Sequence, residues 1–104
     1  MRIISTKDAN VLSISLEGEL DHHSAKGAIS QIANIIEIEL PLNVTLNLKG
    51  LSFMDSSGIA LVLHTWRRLN DFSAKLKIEN VPTQGYKVLN AAGIPRLIPT
   101  TRLH

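Results

Sequence analysis

Asp55, Ser56, Ser57 and Gly58 place one carboxylate and two hydroxyls between an apolar run, Leu51 to Met54, and a second apolar stretch that begins at Ile59. Two kinds of chemistry use such a sequence. The first is structural. Asp is a preferred N-cap, because its carboxylate accepts hydrogen bonds from the unpaired backbone N–H groups of a helix's first turn, a contribution of about 1 kcal/mol. Asp55, Ser56 and Ser57 then only start a helix, and Gly58 lets something pack closely. The second uses the same geometry for a functional site. Ser56 stands in the first turn, exposed at the C-terminal edge of a strand, where helix N–H groups and the helix dipole favour an anion. A phosphoryl group there adds about −1.5 to −2 charges, favoured by the helix end and opposed by Asp55. Periodicity alone favours the cap.

Other chemistries fit less well. A serine nucleophile needs a positioned base, and "MDSSG" lacks the first glycine of the nucleophile elbow. His64 lies beyond the first turn of the same helix. Asp21-His22-His23, in "GELDHHSA", suggests a metal, but neighbouring residues on a strand face opposite ways and on a helix diverge by about 100°. The helical His-Glu-x-x-His spacing is absent, so no metal site is expected. The plain reading is a polar loop into a helix, with Asp21 or Ser24 capping. No Gly-rich phosphate loop occurs, and no nucleotide cofactor is expected.

The elements that position these residues follow from hydropathy. "RIIST" and "VLSISL" read as strands, the second with Leu12, Ile14 and Leu16 alternating against Ser13 and Ser15, and "KDAN" turns between them. "LNVTLNL", Leu42 to Leu48, alternates more cleanly, with Leu42, Val44, Leu46 and Leu48 on one face. "KLKI", Lys75 to Ile78, is a fourth strand and "RLIPT" a marginal fifth. Ala25, Ala28, Ile29, Ile32, Ala33 and Ile36 recur at helical spacing up to Pro41. Ile59, Val62, Leu63, Trp66 and Leu69 form a second stripe. A third helix runs from about Pro82 to Ala92, closed by Gly93. Strands alternating with helices predict a mixed sheet covered by helices.

Composition sets the bounds. A chain of 104 residues, 44% hydrophobic and 19% charged, is one globular domain able to bury roughly two-thirds of its unfolded surface. With no cysteine there are no disulfides, no thiol catalysis and no cysteine-bound zinc, which fits a cytoplasmic protein. No window reaches the roughly 18 apolar residues of a membrane span. Residues 1–55 carry four Lys/Arg against seven Asp/Glu, and residues 56–104 seven against two. The basic residues are scattered rather than interleaved with aromatics, so direct nucleic-acid binding is not expected.

"GELDHHSA" and "LSFMDSSGIALVL", at this separation and in β-β-α-β-α order, resemble the anti-sigma factor antagonists of the STAS domain family, most closely the sporulation type. The resemblance covers nearly the whole chain. It implies an α/β STAS fold over residues 1–104, a mixed four- to five-stranded sheet in the order β-β-α-β-α-β-α(-β). It implies that the unphosphorylated protein binds a GHKL-type serine kinase that doubles as the anti-sigma factor, and so releases the sigma factor. The kinase then phosphorylates the serine directly after the motif's aspartate, here Ser56, and a PP2C-type phosphatase with its own metal resets the switch. Asp55 is carried over as the aspartate beside the acceptor, and Asp21 as a loop acid near it with a part in kinase recognition. Ser57 and Gly58 complete the motif, Gly58 keeping the approach to the acceptor open.

A kinase that supplies base and magnesium-ATP leaves its substrate needing no catalytic residue or cofactor of its own. Two departures stand out. Ala60 occupies the place of a second glycine in many relatives, and the chain stops at "PTTRLH" where relatives usually continue into a final helix. Two other functions fit the sequence: a STAS scaffold in a sensory or lipid-transport assembly, with Ser56 only a cap, and a small hydrolase using Ser56.

Overall fold

The computed structural model describes all 104 residues. Its elements run β1 (Arg2–Asp8), β2 (Val11–Leu20), α1 (His22–Glu39), β3 (Asn43–Asn47), β4 (Leu51–Met54), α2 (Ser56–Asn70), β5 (Lys75–Val81), α3 (Thr83–Ala91), α4 (Ile94–Leu97) and β6 (Thr100–Arg102). The expected α/β architecture is present, with six strands rather than four or five. The sheet order is β1-β2-β3-β5-β6, β1 antiparallel to β2 and the remaining pairs parallel.

The strand absent from the sequence reading is β4. It is four residues long with no alternation, Leu51 and Met54 buried and Ser52 and Phe53 exposed. It exists because β2 is longer than its alternating part. Val11–Ser15 pair with β3, and Gly18–Leu20 pair in parallel with β4. The offset between partners is 32 residues at Val11–Asn43 and 34 at Leu20–Met54, so two extra residues must be absorbed. A turn takes up one, with the Leu51 N–H donating to the Leu48 carbonyl at 3.0 Å and the Gly18 N–H to the Gly50 carbonyl at 3.0 Å, and a bulge between Gly18 and Glu19, which pair with Leu51 and Phe53, takes up the other. Gly18 has φ of 109°, a conformation that glycine alone adopts without strain.

All the alternating apolar positions face one way. Leu12, Ile14, Leu16 and Leu20 of β2, Val44 and Leu46 of β3, and Leu76 and Ile78 of β5 are buried. They join one core with Ala25, Ala28, Ile32 and Ile36 of α1 and Leu61, Val62 and Leu69 of α2. Leu42, expected on that face, is 54% exposed because β3 begins one residue later. Arg68 of α2 pairs with Glu37 of α1 across the helix interface. At the far end, the Lys7 ammonium donates to the Glu39 carbonyl at 2.9 Å, tying β1 to the last turn of α1.

The C-terminal segment also departs from expectation. Residues 96–100 do not form one strand. Gly93 is left-handed with φ of 76°, Pro95 sits in the first turn of α4, the backbone is extended again at Ile98, and the strand begins only at Thr100. Proline lacks an N–H and has a fixed φ near −65°, which suits a first helical turn. No helix is long and apolar enough to cross a membrane.

Candidate functional site

The C-terminal ends of parallel strands β2 and β4 deliver two helices side by side, and each starts on an aspartate. Asp21 follows β2 and is the N-cap of α1; Asp55 follows β4 and is the N-cap of α2. The parallel pairing of Leu20 with Met54 sets the two caps next to each other.

Asp21 forms a complete capping box. Its Oδ1 accepts from the N–H groups of His23 at 2.9 Å and Ser24 at 3.0 Å, and the Asp21 N–H donates to the Ser24 hydroxyl at 3.1 Å. That hydroxyl donates in turn to the Glu19 carbonyl at 2.7 Å. The Ser24 N–H holds the Asp21 carboxyl below its ordinary value against an opposing desolvation, with further help from the His23 N–H and the Ser24 hydroxyl. Asp21 is therefore ionised at neutral pH and locked in orientation.

Asp55 does more than cap its own helix. Its Oδ1 accepts from the Ser57 N–H at 2.7 Å, and its Oδ2 accepts from the His22 N–H of α1 at 3.2 Å. Its own N–H donates to the Leu20 carbonyl at 3.2 Å, and its carbonyl accepts from the Gly58 N–H at 3.0 Å. One residue thus joins β2, α1 and α2. Ser56 follows it as the first residue of α2 and is exposed, whereas Ser57 is half-buried. The structure brings together Asp21, Asp55, Ser56 and Ser57 at one edge, as the motifs require.

Gly58 does what the cap reading expects, letting a neighbour pack closely. It is buried, and a Cβ there would lie 2.5 Å from Cγ and 2.8 Å from Sδ of Met54. It faces inward and seats the first turn of α2 on the end of β4. Ala60, one turn beyond Ser56, is exposed and carries its methyl group on the outer surface.

His22 and His23 are exposed with their rings 5.3 Å apart at 64°. No group of three His, Cys, Asp or Glu side chains gathers to hold a metal. His64 lies eight residues after Ser56 along α2, about 12 Å at the helical rise, too far to take a proton from its hydroxyl.

Gln84, in the first turn of α3, was not singled out by any motif. Its side-chain amide accepts from the Met54 N–H at 2.8 Å and donates to the Met54 carbonyl at 2.7 Å. Nothing local in the sequence signals it, since the contact spans 30 residues.

The STAS domain family matches residues 2–104. An anti-sigma F factor antagonist of Paenibacillus polymyxa is 30% identical over 89 residues, 86% of this chain and 76% of the relative. One from Lysinibacillus sphaericus is 37% identical over 81 residues, 78% and 69% of the two chains. Among solved structures, the anti-sigma factor antagonist SpoIIAA in its unphosphorylated form superposes with a TM-score of 0.81 at 28% identity, covering 95% of this chain and 87% of that one. The Bacillus SpoIIAA in phosphorylated form gives 0.73 at 28%, covering 95% and 90%.

Proposed function

The chain belongs to the STAS domain family, and from that premise we propose that it is an anti-sigma factor antagonist switched by phosphorylation of Ser56. Unphosphorylated, it binds an anti-sigma factor that is also a serine kinase, and the sigma factor is released. The kinase transfers the γ-phosphoryl of ATP to the Ser56 oxygen, the hydroxyl proton passes to a base of the kinase, and ADP leaves. A PP2C-type phosphatase hydrolyses the phosphoester and restores binding.

One observation carries this reading: Ser56 is the exposed hydroxyl of the first turn, on a backbone fixed by Asp55 on three sides. Support comes also from relatives that are themselves anti-sigma F factor antagonists, and from a structural neighbour solved with and without phosphate. The electrostatics suit a switch. The N–H groups of Ser57 and Gly58 are already engaged by the Asp55 carboxylate and carbonyl. A phosphate on Ser56 therefore stays turned toward solvent, its charge adding to those of Asp55 and Asp21. Docking such a surface requires desolvating it against like charges, which weakens the complex.

Incubation with the anti-sigma kinase and ATP is expected to place one phosphate on Ser56. Ser56→Ala abolishes incorporation and retains kinase binding; Ser56→Glu weakens binding. Phosphate on Ser57, or none with a bound kinase, counts against the proposal. A stable partner that is no kinase, bound equally by Ser56→Glu, favours a scaffold instead.

A further inference from the structure

β4 has a strand neighbour on one edge only. β2 pairs with it on that side, while β5 pairs with β3 over Lys75–Glu79 and contributes only the Glu79 carbonyl to Leu48 beyond β3. At Asn80 the backbone is left-handed with φ of 57°, and β5 continues toward β6, where Val81 pairs with Arg102. The sheet therefore splits beside Met54. Met54 is 1% exposed, and its backbone N–H and C=O on the open edge have no strand to pair with. Buried backbone groups of this kind require partners.

The partner is the Gln84 side chain. Its carboxamide supplies one acceptor and one donor, the pair of groups that a neighbouring strand would present, at 2.8 and 2.7 Å. Only a carboxamide of this length does both jobs. A carboxylate can accept but not donate, and Asn is one methylene shorter.

We infer that Gln84 is a positioning residue that holds the segment Met54-Asp55-Ser56, and through it the acceptor hydroxyl, at the split edge of the sheet. The role in phosphoryl transfer rests on the function proposed above. In-line transfer requires the oxygen to meet the γ-phosphorus closely, and a misplacement of about 1 Å can reduce a rate about 100-fold. Gln84 bonds the Met54 backbone and none of the Asp21, Asp55 or Ser56 side chains, so binding and transfer separate.

The test uses Gln84→Met, which keeps length and packing but neither hydrogen bond, and Gln84→Glu, which keeps only the acceptor. Hydrogen exchange read by NMR is expected to show the Met54 amide exchanging about tenfold faster or more in Gln84→Met, with a shifted Ser56 amide and unchanged protection at Ile14 and Leu46. In Gln84→Glu the carboxylate still accepts from the Met54 N–H, so Met54 stays protected, which separates loss of this bond from loss of the donor to the Met54 carbonyl. Steady-state phosphorylation uses the anti-sigma F factor of Lysinibacillus sphaericus, the target of the 37% identical relative, with ATP. The expected result for Gln84→Met is a kcat about tenfold lower with KM within twofold.

An unchanged Met54 amide in Gln84→Met overturns the inference, and so does full kcat despite a faster-exchanging Met54. If the wild-type chain binds this kinase and is not phosphorylated, the function proposed above fails, and the inference stands or falls on the Met54 and Ser56 amides alone.

Discussion

Replacing Asp55 separates its two structural tasks. Asp55→Ala removes the acceptor for the Ser57 N–H at 2.7 Å and the acceptor for the His22 N–H at 3.2 Å. Loss of an N-cap carboxylate costs about 1 kcal/mol. The bond to His22 is longer and lies at the surface, so its contribution belongs at the low end for a hydrogen bond, about 0.5–1 kcal/mol. The two together give about 1.5–2 kcal/mol. At roughly 4–8 °C per kcal/mol for a domain of this size, the melting temperature falls by roughly 6–16 °C. Asp55→Asn is the informative companion. Its side-chain oxygen can still cap α2, but its NH₂ group faces the His22 N–H, donor against donor. It should lose about 0.5–1 kcal/mol, and the His22 amide signal should move with little change at Ser57. Urea unfolding of the three proteins gives the stabilities, and ¹⁵N spectra give the local effects. Equal stability of Asp55→Asn and wild type, with an unmoved His22 amide, would refute the claim that Asp55 joins the two helices. A loss below about 0.5 kcal/mol in Asp55→Ala would refute the cap itself.

Two further outcomes test other parts of the fold. The carboxyl of Asp21 titrates below its ordinary value of 3.8 in the folded chain, so its charge stabilises the fold above that pH and the contribution is lost as pH falls through the lowered native value. The stability difference between wild type and Asp21→Asn should accordingly be constant near neutrality and shrink in acid; a difference that grows on acidification contradicts the sign. Leu40 ends α1 in the left-handed region with φ of 47° and is 63% exposed. Leu40→Gly removes that strain with little loss of packing and should raise stability by about 1 kcal/mol in thermal unfolding, a destabilisation being the contrary result.

Several features were legible from residue order alone because their physics is local. Period-two alternation fixes which side of β2 and β3 is buried, and the three- and four-residue apolar steps fix the inner faces of α1 and α2. Asp55 reads as a cap because capping involves only the next two or three backbone N–H groups. The two motifs, "GELDHHSA" and "LSFMDSSGIALVL", carry the family, and on it rests the proposal of Ser56 rather than Ser57.

Tertiary structure decided everything that depends on residues far apart in the chain. β4 has too few residues and too little alternation to declare itself, and is a strand only because Gly18–Leu20 of β2 extend past β3 and offer an edge. The two motifs meet because that pairing sets Leu20 beside Met54, which lets one Asp55 oxygen reach the N–H of His22, 33 residues away. Gly58 faces Met54 because helix packing, not sequence spacing, determines which side of a first turn lies against the sheet. Gln84 gave no signal, since its role arises from a gap between strands that exists only once the sheet is assembled. What the residue order determined is the cap and the serine proposed as acceptor; what the assembled sheet determined is the set of distant hydrogen bonds that holds them in place.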